Sequence, residues 1–396
     1  MLFNSLEFIF IFFPLCILSF YFCLKYNKFY LSHLILIIFS WIFYSYWSLF
    51  FGFLLLLTLV VDYSFVLILK KYKSKIIFIV ALIICLSPLF FFKYFVFLAN
   101  NVALLVGVSY SFQEKSLPLA ISFYTFQKVA FLIDYYRKYF PTDFKKYCLF
   151  IIFFPQFIAG PIVKYDQVIN QFNDIRRFNY SNFYIGFSIF LVGLFKKCVI
   201  ADNLSPIVNE LYSLNNYEIN NLDSSFVWLA SISYSFQLYF DFSGYSDMAT
   251  GLARVFGIRL PINFNSPYKS ITLAEFWRNW HISLHNFLKK YLYIPLGGKY
   301  KRPILNLFIT MILGGVWHGA GFTFLLWGFA HFCMLIIEKK TFEIKKTKNI
   351  YFKILWWILL LIFINCTWVI FRSNDISQSF IILQKLFDMS SFGQGL

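Results

Sequence analysis

The feature that most constrains this chain is a series of long apolar stretches separated by short loops rich in lysine and arginine. Hydrophobic residues make up 60% of its 396 residues and charged residues only 13%, against roughly 25% in soluble domains. A stretch of about 20 apolar residues is long enough to cross a bilayer as a helix. The sequence therefore predicts an all-α polytopic membrane protein.

The net charge of +17 is explained by the same pattern. A strongly basic balance can indicate nucleic-acid binding. Here the basic residues fall between apolar stretches, as expected for cytoplasmic loops under the positive-inside rule. We therefore expect a lipid bilayer and no nucleic acid as partner. The seven cysteines contain no C-x-x-C pair and indicate neither disulfides nor a zinc site.

The alternation of charge predicts an N-terminus outside the membrane. The first apolar stretch, 5–24, lacks the basic start and cleavage site of a signal peptide, so we expect a retained helix. Continued along the chain, the alternation predicts about ten to eleven transmembrane or re-entrant helices in a single domain, 1–396. Within it, the basic residues 244–302 are expected to form a cytoplasmic or interfacial helical segment.

One stretch, 147–163, differs from the others. It is short, it contains Pro155, Gly160 and Pro161, and basic loops lie on both sides of it. Broken backbone is tolerated at membrane depth only where protein or a hydrated cavity satisfies its polar groups. We therefore expect a re-entrant element here.

The basic segment contains an apolar pattern, LAEFWRNWHISLHNFLKKYLYIPLGG (273–298). Residues such as Trp277, Trp280 and His281 recur at three- and four-residue steps, which predicts one amphipathic helix at the membrane interface. His281 and His285 are spaced one turn apart, but the glutamate of the zinc signature is missing and no acidic or cysteine cluster supplies further ligands. No metal site is expected.

A histidine in LGGVWHGAGFTF (313–324) lies where lipid would not favour one. His318 follows Pro303 by 15 residues, which is ~22 Å along a helix and deep in the bilayer. Ionisable residues at this depth usually face the protein interior and often serve function. A histidine hydrogen-bonded to a neighbouring helix is the alternative. The glycines around it permit either close helix packing or the approach of a ligand.

Further polar residues occur in apolar surroundings between 234 and 257, namely Gln237, Asp241 and Asp247. Several polar groups in one bundle indicate a hydrated path, which an enzyme or a transporter could use. A transporter would be expected to contain paired broken helices in two related halves. The sequence has one candidate for a broken element and no internal repeat.

Two blocks resemble a known family: FWRNWHISLHNFLKKYLYIPLGG (276–298) and GGVWHGAGFTFLLWGFAH (314–331). Together with PQFIAGPIVKY (155–165) and the long block 234–270, they are similar to the membrane-bound O-acyltransferases. The resemblance is greatest to their bacterial branch, typified by the alginate and peptidoglycan O-acetylation membrane proteins. It extends over nearly the whole chain. The departures are His285, where serine is common, and Lys290, where an acid is usual.

The resemblance implies a funnel of helices in which His318 is the catalytic residue and His281 a second functional residue near the cytoplasmic mouth. A neutral imidazole can take a proton from a hydroxyl and return it to a leaving group. We expect a substrate path between them. Its candidate lining residues are Gln237, Asp241, Asp247, Trp280 and Trp317.

The resemblance also implies the reaction. We expect no tightly bound cofactor, acetyl-CoA as the cytoplasmic acyl donor, and O-acetylation of an extracytoplasmic polysaccharide such as peptidoglycan, alginate or another exopolysaccharide. A separate extracytoplasmic acetyltransferase is the expected partner, and the bacterial inner membrane the expected location. D-alanyl transfer to teichoic acid is the alternative within the family, and a transporter without covalent chemistry is the alternative outside it.

Overall fold

The computed structural model describes residues 1–107, 112–113, 116–158, 160–175, 177–340 and 349–393. All regular secondary structure in these residues is helical, which confirms the all-α prediction. Within the same residues, six helices are long and apolar enough to cross a membrane, and Phe29–Ser45 and Pro303–His318 are shorter apolar helices. The residues pack as two compact units, Met1–Leu194 with Tyr245–Ile262, and Phe195–Gly244 with Asn263–Leu396.

The helices of the first unit follow the apolar stretches of the sequence. They are α1 (Phe8–Lys25), α2 (Phe29–Ser45), α3 (Leu49–Tyr72), α4 (Lys75–Val106), α5 (Ile121–Arg137), α6 (Phe144–Ile152), α7 (Phe154–Phe157), α8 (Tyr165–Asp174) and α9 (Tyr180–Ser213). Only the part of α9 up to Leu194 belongs to this unit. In α4, a π-helical turn begins at Phe90, two residues after Pro88, which cannot donate the backbone hydrogen bond of a regular turn.

The stretch predicted as re-entrant, 147–163, is broken and buried. α6 ends at Ile152, α7 begins at Phe154, and an extended segment follows, with residue 159 outside the described part. The backbone N–H of Phe154 donates to Ser40 Oγ on α2 at 3.0 Å, so protein groups satisfy the break. The break is as predicted, while entry of this element into the membrane stays a prediction.

A buried ion pair joins α3 to α5 inside the first unit. Lys128 Nζ lies 3.0 Å from Asp62 Oδ2, and both side chains are almost fully buried. The same ammonium donates to Thr58 Oγ1 at 2.6 Å and lies 5.1 Å from the centre of the Tyr124 ring. A buried charge is tolerated when it is paired and hydrogen-bonded in this way.

We predict that Lys128→Met destabilises the protein by about 3 kcal/mol, because the Asp62 carboxylate loses its buried partner. The matched control is Lys146→Met, since Lys146 forms only a partly exposed pair with Asp143 at 3.9 Å. That change should cost less than about 1 kcal/mol. Thermal unfolding of the two purified variants in detergent measures the difference. Equal shifts of the two midpoints would contradict the prediction.

The second unit begins within α9 and contains the remaining helices. They are α10 (Asn216–Asn220), the first part of α11 (Ser224–Val255), α12 (Leu273–Asn279), α13 (Ile282–Leu288), α14 (Pro303–His318), α15 (Phe322–Lys340), α16 (Ile350–Arg372) and α17 (Ile376–Leu386). Its core contains the tryptophans Trp280, Trp327 and Trp368 together with aliphatic residues of α11, α16 and α17.

The structure corrects the prediction for 273–298. The single amphipathic helix is wrong, because α12 ends at Asn279 and α13 begins at Ile282. Trp280 and His281 lie at the break and are buried in protein, so they do not form a lipid-facing stripe. Residues 244–255 continue α11 as helix, and the cytoplasmic or interfacial position of 244–302 stays a prediction. Residues 341–348, which belong to one of the basic stretches between apolar ones, lie outside the described residues, and the single domain over 1–396 stays a prediction.

Candidate active site

Close packing of two helices places His318. α14 begins at Pro303 and ends at His318. Proline is favoured at the first position of a helix, because the N–H group that it lacks would have no partner there. A Cβ added at Gly328 would lie 2.6 Å from the Met311 carbonyl oxygen, and one added at Gly315 would collide with the Phe324 carbonyl oxygen. Of the two interpretations of the glycines, helix packing therefore applies to Gly315, whose neighbour α15 runs directly against α14.

The imidazole of His318 is half-buried among aromatic rings. Its ring centre lies 5.3 Å from that of Trp327 and 5.1 Å from that of Phe371, both in edge-on contact. These rings come from α15 and α16. His318 is therefore held between three helices of the second unit, at the point where α14 ends.

His318 also faces a cavity of about 330 Å³. This volume is at the lower end of the range of small-molecule sites. The walls are mainly apolar, with a cluster of basic side chains from α12, α13 and the π-helical segment Lys289–Tyr293 that follows α13. The lining residues are Ala274, Trp277, Arg278, Leu284, His285, Leu288, Lys289, Tyr293, Leu307, Thr310, Met311, Gly314, His318, Trp327 and Leu335. Gly314 thus fits the second interpretation of the glycines, as space for a ligand.

The basic part of the cavity consists of Arg278, His285 and Lys289. Arg278 and Lys289 are exposed and His285 is half-buried. Burial lowers the pKa of His285 from its usual value, and the positive charges of Lys289 and Arg278 lower it further. Arg278 and Lys289 therefore form a positively charged edge, with a neutral His285 beside them, and this edge is continuous with the apolar space that reaches His318.

His281 lies at the break between α12 and α13, in a backbone conformation unusual for a residue with a side chain. Its φ of 45° and ψ of 53° are left-handed. The following residues are held by Asn263, whose carbonyl oxygen accepts from Ile282 N–H at 2.9 Å and whose Oδ1 accepts from Ser283 N–H at 3.1 Å. A strained residue held by such bonds occurs often at functional sites.

The His281 imidazole is fully enclosed, with 1% exposure. It packs edge-on against Phe242 at 4.7 Å between ring centres and lies 5.8 Å from the Trp317 ring. Burial lowers its pKa well below the usual value, and the proximity of His318 adds to this effect. His281 is therefore neutral at neutral pH, and it does not line the His318 cavity.

We predict that the free energy of unfolding of His281→Gly exceeds that of His281→Ala by about 1 kcal/mol, because only glycine adopts φ near +45° without cost. The glycine variant should therefore unfold at the higher temperature. Position 285 is the matched control, since it lies in ordinary right-handed helix in α13. There, the free energy of unfolding of His285→Gly should be about 1 kcal/mol lower than that of His285→Ala. Thermal unfolding of the four proteins in detergent tests this reversal. The same order at both positions would contradict a strained backbone at His281.

Of the predicted path residues, Trp317 is the one that touches both histidines. Its ring centre lies 4.8 Å from that of His318 and 5.8 Å from that of His281. Trp280 instead belongs to the core of the second unit, where it stacks on Phe276 at 5.5 Å. Neither tryptophan lines the cavity.

The acidic and amide residues of α11 lie elsewhere. Asp241 Oδ1 is 2.6 Å from Lys197 Nζ, which also binds Asp202 Oδ1 at 2.8 Å. Gln237 is one turn from Asp241 on the same helix, and neither residue lines the His318 cavity. Asp247 belongs to the first unit. The structure thus brings His281, Trp317 and His318 together without these three, and their role in a path stays a prediction.

Sequence reasoning missed two residues that organise this site, His331 and Glu338. Both lie on α15 and both are buried. The signal was present, since Trp327, His331, Leu335 and Glu338 are spaced by four, four and three residues and so share one helix face. No group of three or more potential metal ligands occurs among the residues that the structure describes.

Comparison with known proteins identifies the family. The model of the membrane-bound O-acyltransferase family matches residues 137–373, which include both histidine blocks. A peptidoglycan O-acetyltransferase of Helicobacter pylori is 38% identical, over 98% of this chain and 80% of its own length. The chain belongs to the membrane-bound O-acyltransferase family. It is therefore a multi-pass membrane enzyme that transfers acyl groups, and the transporter alternative is set aside.

Other relatives of this O-acyltransferase differ in substrate. A probable alginate O-acetylase of Pseudomonas aeruginosa is 34% identical, over 99% of this chain and 75% of its own length. A teichoic acid D-alanyltransferase of Bacillus subtilis is 28% identical, over 66% of this chain and 68% of its own length. The acetylating relatives are thus similar over more of the chain than the D-alanylating one.

Proposed function

We propose that this O-acyltransferase moves an acetyl group from a cytoplasmic thioester donor to an extracytoplasmic polysaccharide, with His318 as the catalytic base. The observation that carries the proposal is the cavity in which His318 and the basic residues Arg278, His285 and Lys289 meet. An apolar channel with a basic edge suits a donor that has a neutral thioester arm and an anionic, phosphate-bearing end.

Acetyl-CoA is the donor of this chemical class that we propose. Its phosphates would lie at Arg278 and Lys289, which are exposed, and its acyl arm would occupy the apolar part of the cavity towards His318. The donor is a substrate, consumed in each turnover, and is not a tightly bound cofactor.

The imidazole of His318 would accept the proton of the attacking hydroxyl as its oxygen forms a bond to the thioester carbonyl carbon. The carbon–sulfur bond then breaks, and the imidazolium returns the proton to the departing thiolate. The reaction therefore forms one ester and one thiol, with no redox step. The enclosing rings of Trp327 and Phe371 limit access of water, which would otherwise hydrolyse the acyl group.

We further propose the bacterial inner membrane as the location, with the N-terminus outside, because the basic loops then lie in the cytoplasm. A glycan such as peptidoglycan or alginate is the proposed final acceptor, on the model of the relatives' names, and a separate extracytoplasmic acetyltransferase is the proposed partner. D-alanyl transfer to teichoic acid is the second candidate, supported by the 28% identical relative.

We predict that His318→Ala lowers acyl transfer about 10²–10⁴-fold, the usual contribution of a general base. The measurement is ester-linked acetate and ester-linked D-alanine released from the glycans of cells that express the variant or the wild type in place of the native gene. Ester-linked D-alanine that depends on His318, without acetate, would select the second candidate.

The matched control for this experiment is His33→Gln. His33 is a buried histidine of the first unit whose Nε2 bonds the Phe172 carbonyl oxygen at 3.1 Å, and glutamine can keep that bond. This variant should retain activity. Full activity of His318→Ala, at normal protein level in the membrane, would contradict a catalytic role for His318.

We predict that Arg278→Gln combined with Lys289→Gln raises the apparent KM for acetyl-CoA about tenfold at low salt, because two contacts to phosphate are lost. S-acetylpantetheine has the same acyl arm without phosphates, so its KM should not change. Acetyl transfer is measured in inverted membrane vesicles, in which the cytoplasmic face is exposed to the added donor.

Lys299→Gln serves as the control, since Lys299 is exposed on the same basic segment and does not line the cavity. It should leave the KM of both donors unchanged. An equal rise in KM for acetyl-CoA and S-acetylpantetheine would contradict a phosphate site at Arg278 and Lys289.

A further inference from the structure

His331 on α15 is a buried histidine with both ring nitrogens in defined hydrogen bonds. The Trp277 Nε1–H group donates to His331 Nδ1 at 3.3 Å. An indole nitrogen can only donate, so Nδ1 carries no proton and the ring is neutral, with its proton on Nε2. Nε2 then donates to Thr367 Oγ1 at 3.1 Å, and that hydroxyl donates to the Ile364 carbonyl oxygen at 2.9 Å. The chain of bonds allows a single tautomer.

His331 does not line the cavity, but it contacts the two tryptophans that do. Its ring centre lies 4.7 Å from that of Trp327 and 5.2 Å from that of Trp277. The two indoles are edge-on to each other at 5.5 Å, and Trp327 also contacts His318 at 5.3 Å. Trp277 and Trp327 thus form one aromatic wall of the cavity beside His318, and His331 lies behind it.

The helix that carries Trp277 needs such support. α12 has only seven residues, too few to be stable by its own hydrogen bonds. The Glu338 carboxylate accepts from the backbone N–H groups of Leu273 and Ala274 at its first turn. His331 holds its middle through Trp277. Two side chains of one face of α15 therefore hold the short helix in place, in addition to its Thr272 cap and its buried Phe276.

We infer that His331 is a positioning residue for acyl transfer, which holds the Trp277 side of the aromatic wall near His318 and so restricts the acyl group to a small one. The inference rests on the proposed function, because it concerns the acyl group that enters this cavity. His331 acts through Trp277 and touches no reactant. A wall fixed by a directed hydrogen bond leaves less room than an indole that is free to turn.

The first arm of the test measures the hydrogen bond itself. The full chain is purified in lipid nanodiscs, and ultraviolet resonance Raman spectra report hydrogen bonding of indole N–H groups. The difference between each protein and its counterpart with Trp277→Phe isolates Trp277 among the ten tryptophans. We expect His331→Phe to shift this signal towards a weaker bond. His331→Asn should retain it, because the asparagine amide oxygen can accept near the position of Nδ1.

The second arm measures acyl-group selectivity in the same preparations, with acetyl, propionyl and butyryl thioesters. One methylene is commonly discriminated about tenfold or more by a fitted pocket. We expect His331→Phe to lower kcat for acetyl about fivefold, the worth of one hydrogen bond. The ratio of kcat/KM for the acetyl donor to kcat/KM for the propionyl donor should fall below about threefold. A ratio this small means that the cavity hardly discriminates one methylene. His331→Asn should restore most of both values.

Two matched variants separate positioning from folding. Trp356→Phe removes another indole of the second unit, one that does not line the cavity, and should leave selectivity unchanged. Trp277→Phe tests the wall with His331 in place, and so covers the case in which His331→Phe does not fold. It should reduce selectivity as His331→Phe does. The double variant, His331→Phe with Trp277→Phe, should be no less selective for acetyl than either single variant, since both changes remove the same bond.

Each other result overturns the inference. An unshifted Raman signal in His331→Phe would show that the bond is absent. A shifted signal with all donors slowed equally would show that His331 only supports the scaffold. A His331→Asn protein that behaves like His331→Phe would also exclude the bond as the cause. Absence of acyl transfer in the wild type, with normal Raman spectra, would instead refute the proposed function and with it the positioning role.

Discussion

The close contact of α14 with α15 at Gly315 and Gly328 is the interaction on which the arrangement around His318 depends. Because neither position has a side chain, the two backbones approach within van der Waals contact. α14 can then end with His318 directly beside Trp327 of α15. A larger residue at Gly315 would push the helices apart and move the imidazole away from its aromatic surroundings. The glycines of this block therefore serve geometry first, and they provide room for a ligand only at Gly314.

The second organising feature is the interruption between α12 and α13. A broken helix leaves backbone groups without partners, and in a membrane protein other protein groups must bind them. Asn263 binds the start of α13, and Glu338 binds the start of α12. The basic side chains Arg278, His285 and Lys289 and the indole of Trp277 come from both sides of this interruption and line one cavity. The predicted amphipathic helix was wrong for this reason.

How much of the site could be predicted differs from residue to residue. His318 was identified by its depth along α14 and by the family resemblance, and Trp317 came with it as its neighbour in sequence. His331 and Glu338 were missed, although their spacing from Trp327 was visible, because helical spacing shows a shared face but not what lies opposite it. Asp62 and Lys128, which are 66 positions apart in the sequence, were missed for the same reason. Only packing shows that two distant charges form one pair.

The sequence by itself determined the class of the protein. Apolar length and basic loops require membrane helices, because every backbone polar group in lipid must be bonded within its own segment. Its motif blocks determined the family. The tertiary structure decided which residues share a cavity, which glycines pack helices, and where a helix is interrupted. These features depend on contacts between segments far apart in the chain, and local periodicity contains no information about which segment lies opposite.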